Sequence, residues 1–136
     1  MGRLIGIDYG LKRTGIAETD DAQIIASPLT TVNTKEIFSF LKKYFQEHQV
    51  DKVILGFPQK LDGSDTHISE DVRKFKTKIE NTFQKKVILI DERFTSKMAS
   101  SAIAMSGLKK KKRQEKSLID KVSASIILGD YLNTQK

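Results

Sequence analysis

Two short runs of nearly uninterrupted apolar residues constrain the fold of this chain more than any other feature of its sequence. The runs are KVILGFP, which begins at Lys52, and KVILID, which begins at Lys86. The unbroken run KVILGFP is typical of a strand that is covered on both faces, as in a parallel sheet, and KVILID repeats the pattern of a strand that ends in polar residues. Between the runs, apolar residues recur every three or four positions and predict an amphipathic helix: Ile68, Val72, Phe75, Ile79 and Phe83. The pattern therefore predicts a strand, a helix and a second strand within an α/β domain.

The first third of the chain predicts strands that pair in an antiparallel fashion. RLIGID, beginning at Arg3, and TGIAET, beginning at Thr14, look like two strands joined by a turn. IIASPLTTV predicts a third strand, which lies at an edge or contains a break because Pro28 cannot donate a ladder hydrogen bond. An amphipathic helix follows from Thr34.

Two further helices are predicted towards the C-terminus. The first extends from Thr95, a candidate N-cap, to Gly107, and the second extends from about Ser117 to Leu132. The resulting order β-β-β-α-β-α-β-α-α predicts a mixed sheet with helices packed on it. No internal repeat or long linker divides the sequence, so residues 1–136 are predicted to form one α/β domain.

Positive charge is concentrated in one segment. The chain carries 24 Lys and Arg against 17 Asp and Glu, a net charge of +7, and the segment KKKKRQEK at 109–116 contains six cations and one anion. Such a run is commonly a solvated loop that contributes to solubility. The alternative is a phosphate-binding segment, because clustered cations release counterions from a nucleic acid backbone.

Composition excludes several other classes of protein. The chain has no cysteine, so disulfides, thiolate chemistry and cysteine-ligated zinc are excluded. No apolar run approaches the roughly 18 residues that are needed to span a bilayer, so no membrane partner is expected. The apolar N-terminal stretch is interrupted by Arg3 and Asp8, which argues against a signal peptide. A cytoplasmic protein is the simplest expectation.

Acidic residues at the ends of predicted strands are candidate functional groups. Alternation along the first strand places Leu4, Gly6 and Asp8 on one face, and Gly6 is expected to leave open space beside the Asp8 carboxylate. Asp91 and Glu92 end the last strand, and only one of them should share a face with Asp8. The sequence does not decide which. Acids in such places are also commonly turn formers or halves of surface ion pairs.

Asp120 allows a structural and a functional interpretation. SLID at 117–120 matches an S-x-x-D capping box, in which Asp120 would only stabilise the helix start. Ser123 and Ala124, one turn later, are small, so this helix face could pack closely on the sheet and bring Asp120 to the strand ends. Clustered carboxylates raise each other's pKa by repulsion. Divalent cations such as Mg²⁺ remove that repulsion, and a pair of them can activate water against a phosphodiester.

Four segments resemble the motifs of one known family, in matching order: GIDYGLKRTGIAETD, VILGFPQKLDGS, DERFTS and IDKVSASIILGDYL. The family is YqgF, also called RuvX, which comprises pre-16S rRNA nuclease and Holliday junction resolvase-like proteins. The resemblance covers nearly the whole chain, although Phe94, Thr95 and Ser96 stand where the family usually has Leu-Thr-Thr. It implies a ribonuclease H-like fold, with a mixed five-stranded sheet flanked by helices and its first three strands antiparallel.

The resemblance also implies a nuclease that hydrolyses nucleic acid phosphodiesters with Mg²⁺ or Mn²⁺. Its expected role is 5′-end processing of pre-16S rRNA in ribosome biogenesis, with an RNA precursor as partner. Asp8, Glu92 and Asp120 would bind the metal, and Asp91 is a further catalytic candidate. By the same resemblance, eight cations would face nucleic acid: Lys12, Arg13, Arg93, Lys109, Lys110, Lys111, Lys112 and Arg113.

Other functions remain open at the level of sequence. A Holliday junction resolvase that cuts branched DNA in recombination would need two active sites, so the choice between a monomer and a homodimer carries functional information. A non-catalytic nucleic-acid-binding protein would use the cationic segment, with the acids as caps. DYGLKRTG also loosely resembles the phosphate loop of actin-like ATPases and sugar kinases. Those enzymes need two such domains, and 136 residues hold one.

Overall fold

The computed structural model describes residues 2–58, 68–91 and 116–135, which form a five-stranded sheet with helices on both faces. In chain order the elements are β1 (Arg3–Asp8), β2 (Arg13–Thr19), β3 (Ala26–Asn33), α1 (Ile37–Glu47), β4 (Val50–Phe57), α2 (Ser69–Phe83), β5 (Lys86–Asp91) and α3 (Lys116–Thr134). A 3-10 turn at Thr34–Glu36 precedes α1, so the helix predicted from Thr34 begins as a tighter turn. The helix predicted at 95–107 lies outside the described residues.

The sheet is mixed, as predicted. Its strand order is β3-β2-β1-β4-β5, with antiparallel pairing among the first three strands and parallel pairing from β1 to β4 and from β4 to β5. The apolar run of β4 lies between two parallel neighbours, and its Val53, Ile54 and Leu55 are fully buried. Burial on both faces explains why this strand has no polar alternation.

β3 lies at one edge of the described sheet, where Pro28 can be accommodated. Pro28 pairs with Ala17, whereas Thr30 pairs with Ile16, so Leu29 has no residue opposite it and forms a bulge. Both expectations for Pro28, an edge position and a break in pairing, are confirmed. The proline removes a donor only where the ladder is already interrupted.

Alternation along the strands divides the apolar residues between two cores. The core under α1 and α2 includes Ile5, Ile7 and Phe75, and the core under α3 includes Leu4 and Leu128. The two faces of β1 therefore face two different helical layers, and the residues at its end can serve two different sites.

Within the described ranges, no helix is both long enough and apolar enough to cross a bilayer.

A polar network joins α1 to the sheet at the end of β1 opposite Asp8. The hydroxyl of Tyr44, a buried residue, donates a hydrogen bond of 2.6 Å to Glu18 Oε1. The same oxygen accepts a hydrogen bond of 3.0 Å from Arg3 Nη1. Burial, followed by the bond to Glu18, raises the pKa of Tyr44 to about 12. The network therefore holds Tyr44 in its protonated form.

Candidate active site

The position of α3 is set by two glycines on which the helix rests. A Cβ at Gly6 would lie 2.8 Å from Leu128 Cβ and 2.9 Å from the carbonyl oxygen of Ala124, and a Cβ at Gly15 would overlap the carbonyl group of Asp120. The expectation of open space beside Gly6 is therefore wrong. The apolar face of α3 fills that space, because close packing leaves few voids in a protein interior.

The same close approach brings Asp120 to the end of β1. Asp8 pairs with Gly15 in the register of β1 and β2, and the backbone of Asp120 lies directly over Gly15. Asp8 also shares its face of the strand with Leu4, which packs under α3. Ser123 and Ala124 are fully buried, as expected for small residues in a tight helix and sheet contact. Asp8 and the backbone of Asp120 thus both adjoin Gly15 at one corner of the α3 face, although the two residues are 112 positions apart in the sequence.

Arg13 lies at this corner and forms an ion pair with Asp120. Its Nε donates a hydrogen bond of 2.9 Å to Asp120 Oδ2, and the two side chains are 37% and 24% exposed. Because α3 begins at Lys116, Ser117 lies inside its first turn, and the Asp120 carboxylate turns to Arg13. Arg13, predicted to face nucleic acid, therefore also neutralises a predicted metal ligand.

Asp91 lies on the other side of the sheet. Ile88 and Ile90 pack with the core under α3, whereas Val87 belongs to the core under α1 and α2. Strict alternation along β5 then assigns Asp91 to the α1 and α2 face, away from Asp8. Alternation therefore argues against grouping Asp91 with Asp8, and a catalytic role for Asp91 stays a prediction.

Several predicted site residues lie outside the described residues and stay predictions. They are Glu92, Arg93, Lys109, Lys110, Lys111, Lys112 and Arg113. Lys12, in contrast, lies within the described residues and is exposed in the turn between β1 and β2. Sequence reasoning did not single out Gly15. The available signal was a glycine inside a strand, which often marks a close approach of another backbone.

The two carboxylates at this corner have the chemistry of a site for a hard divalent cation. Mg²⁺ prefers oxygen ligands, and one or two carboxylates often hold it together with water and substrate phosphates. In the ranges 2–58, 68–91 and 116–135, no group of three or more His, Asp and Glu converges on a metal position. Asp8 and Asp120 therefore fit part of such a site, and any third carboxylate comes from outside those ranges.

Comparison with known proteins decides the family. The model of the RuvX family, described as Holliday junction resolvase, matches residues 2–134. The chain belongs to the RuvX family. A relative from Flavobacterium psychrophilum is 50% identical over 133 residues and covers 97% of both chains. A relative from Flavobacterium johnsoniae is 49% identical over 137 residues, covering 100% of this chain and 99% of its own. Both are named as candidate pre-16S rRNA nucleases.

A solved structure confirms the ribonuclease H-like fold of this RuvX chain. RuvC of T. thermophilus, solved in complex with Holliday junction substrate, superposes with a TM-score of 0.56 at 14% sequence identity. The match covers 97% of the RuvX chain and 95% of RuvC. At this identity the likeness concerns the fold alone.

Proposed function

We propose that this protein is a nuclease that hydrolyses RNA phosphodiesters with Mg²⁺ or Mn²⁺ in the 5′-end processing of pre-16S rRNA. Two relatives that match along nearly their whole lengths, at 50% and 49% identity, are named as candidate pre-16S rRNA nucleases. The observation that carries the proposal is that Gly15 is the β2 partner of Asp8 and also lies against the backbone of Asp120. Acidic side chains that adjoin the same glycine at a partly exposed strand end suit a hard divalent cation, which prefers carboxylate oxygens.

In this proposal Asp8, Glu92 and Asp120 hold the metal. The metal, when bound, supplies an activated water and stabilises the leaving oxygen of the phosphodiester. Asp8 is fixed by the ladder of β1, and Asp120 is fixed by the contact of α3 with Gly15, so both carboxylates are oriented by rigid elements. Arg13, which is paired with Asp120, would donate hydrogen bonds to a substrate phosphate.

The cationic segment would hold the substrate strand rather than take part in the chemistry. Replacement of Lys109, Lys110, Lys111 and Lys112 by Ala should weaken RNA binding and flatten its dependence on salt, because fewer counterions are released. Wild-type salt dependence in this variant would assign the segment to solubility alone.

A Holliday junction resolvase is the second candidate, favoured by the description of the matching family model. It differs from the first in its substrate and not in its carboxylates. A resolvase cuts two strands related by symmetry, so it requires two copies of the site and therefore a dimer. The substrate on which the purified protein acts separates the two candidates.

The deciding experiment compares wild type, Asp8→Asn and Asp130→Asn on two labelled substrates, a precursor rRNA fragment and a four-way DNA junction, with Mg²⁺ or Mn²⁺. Asp130 is an exposed acid further along α3, so Asp130→Asn controls for the loss of one carboxylate. We expect cleavage of the RNA by wild type and Asp130→Asn and none by Asp8→Asn. Cleavage of the junction alone would identify a resolvase, and equal cleavage by all three proteins would refute the assignment of Asp8.

The strand-end pair is tested by comparing Glu92→Gln with Asp91→Asn. Because alternation places Asp91 on the face away from Asp8, the loss of cleavage should be much larger for Glu92→Gln. A larger loss for Asp91→Asn would contradict this choice of ligand. Binding of both substrates without cleavage by wild type would instead favour a non-catalytic nucleic-acid-binding protein.

A further inference from the structure

A cavity of about 310 Å³ opens on the side of the sheet opposite Asp8, at the same strand end. Tyr9 directly follows Asp8 in the sequence and packs with the core under α1 and α2. Three aromatic rings and three lysines line this Tyr9 cavity: Tyr9, Phe38, Phe75, Lys35, Lys74 and Lys78. Its volume lies at the lower end of the range of small-molecule sites, about 300–1,000 Å³. The cavity is separate from the carboxylate corner and lies across the strand end from it.

The rings of the Tyr9 cavity hold each other in place. Tyr9 stacks on Phe75 with ring centroids 4.5 Å apart and an angle of 22° between the planes. Phe38 meets Phe75 edge to face at 5.7 Å. Phe75 is buried, whereas Tyr9 and Phe38 are half-buried, so parts of their rings remain accessible from the cavity. This is a preformed aromatic surface next to a predicted metal ligand.

The charges around these rings favour an anionic ligand. Lys35, Lys74 and Lys78 line the cavity together with one acid, Asp71. Lys78 Nζ lies 4.5 Å from the centroid of the Phe38 ring. Lys74 and Lys78 also line a shallow depression on the outer face of α2, together with the ion pair of Arg73 and Glu70. The positive surface therefore extends from the strand end along α2.

We propose that the Tyr9 cavity binds one nucleotide of a single-stranded segment of the substrate, with its base against the aromatic rings and its phosphate at the lysines. The inference rests on the proposed function for the placement of the cut, at Asp8. Aromatic surfaces flanked by cations are the usual means of binding single strands. A base inside a duplex would have to be unpaired before it entered the cavity. The strand would pass over the sheet edge, from the carboxylate corner to the Tyr9 cavity.

Binding without cleavage is the appropriate test, measured by fluorescence anisotropy in the presence of EDTA. The probes are a labelled single-stranded RNA, the DNA of the same sequence, and the matching duplexes. Lys74→Glu is compared with Lys43→Glu, since Lys43 is an exposed lysine of α1 that lines a different cavity. Tyr9→Leu removes the ring, and Tyr9→Phe keeps it. Circular dichroism melting curves report whether each variant folds.

We expect Lys74→Glu to weaken single-strand binding by about ten-fold or more and Lys43→Glu by less than about two-fold. The reason is that Lys74 lines the Tyr9 cavity and Lys43 does not. Tyr9→Leu should weaken single-strand binding by about five-fold or more. Tyr9→Phe should bind as the wild type does, because it keeps the ring on which the base stacks. Duplex binding should not respond to Tyr9→Leu. A tighter complex with RNA than with DNA would identify the strand that the cavity accepts, and equal affinities would indicate a site for either.

Three results would overturn the inference: no binding of single strands by wild type, equal effects of Lys74→Glu and Lys43→Glu, or full binding by folded Tyr9→Leu. The fate of the proposed function is read separately, from cleavage by wild type. A wild type that cleaves while its variants bind normally would retain the nuclease and lose the Tyr9 cavity. A wild type that binds single strands through Tyr9 and Lys74 without cleaving them would support the Tyr9 cavity and contradict the nuclease.

Discussion

Gly15 is the point at which α3 lies closest to the sheet, so replacing it by Ala tests the geometry of the whole site. The added Cβ would overlap the carbonyl group of Asp120 and would lie 2.8 Å from the amide nitrogen of Lys121. Both atoms belong to the backbone, so no change of side-chain rotamer relieves the contact. The first turns of α3 must instead withdraw from β2, and Asp120 must move with them.

The size of the effect follows from this overlap. Overpacking of a tight contact commonly costs about 1–3 kcal/mol of the free energy of unfolding. Gly129→Ala is the matched control in the same helix, because a Cβ at Gly129 meets nothing within 4 Å. Ala is favoured over Gly in a helix interior by about 0.5–1 kcal/mol, so this control should be slightly stabilised. For the proposed nuclease, displacing a metal ligand by about 1 Å should also lower the cleavage rate by about 100-fold.

Urea unfolding followed by far-UV circular dichroism measures the first quantity, and cleavage of the precursor rRNA fragment measures the second. We expect the two variants to differ in free energy of unfolding by about 1.5–4 kcal/mol, with Gly129→Ala the more stable. Equal stabilities would refute the contact between Gly15 and α3. Full cleavage by a destabilised Gly15→Ala would refute the role assigned to Asp120, while leaving the packing argument intact.

Three further predictions concern the ion pair of Arg13 with Asp120 and the dependence of stability on pH. Because the pair between Arg13 and Asp120 is partly exposed, Arg13→Ala should cost only about 0.2–1 kcal/mol of stability, and a double-mutant cycle with Asp120→Asn measures this coupling. The same Arg13→Ala should tighten Mn²⁺ binding in calorimetry, because it removes a cation 2.9 Å from the Asp120 carboxylate; weaker binding would contradict the competition. The pKa of Tyr44 rises from 10.0 to about 12 on folding, so its contribution to stability is complete below pH 10 and is lost between pH 10 and 12. Urea unfolding over this range should show a steeper loss for wild type than for Tyr44→Phe, and parallel curves would contradict the buried hydrogen bond to Glu18.

The strands and helices could be predicted because the buried side of each element requires apolar residues at regular spacings in the sequence. The apolar run at Lys52 has no alternation because β4 is covered on both faces, and the spacing from Ile68 to Phe83 follows the buried side of α2. Pro28 marked the edge strand because it cannot donate to a ladder. These signals are local, so no knowledge of the partner element was needed.

The site was less predictable because its geometry depends on which element covers which face. The sequence does not show whether the space beside a glycine stays open or is filled by a packed helix. The space beside Gly6 was therefore wrongly predicted to be open, and Gly15 was not singled out. The face of the sheet to which alternation assigns Asp91 was open until the partners of Ile88 and Ile90 were known. The ion pair of Arg13 with Asp120 joins residues 107 positions apart, and no local pattern reports it.

The dependence of one core on α3 has a consequence for how the chain folds during synthesis. Leu4 and Ala17 are buried in the core that α3 completes, so they lack that cover until residues from 116 onward have been made. Contacts so distant in sequence form slowly, because a long loop must close before they stabilise anything. The hairpin of β1 and β2 therefore keeps one apolar face uncovered until α3 has been synthesised. Dependence on chaperones should be greatest for chains that stall before α3 is synthesised.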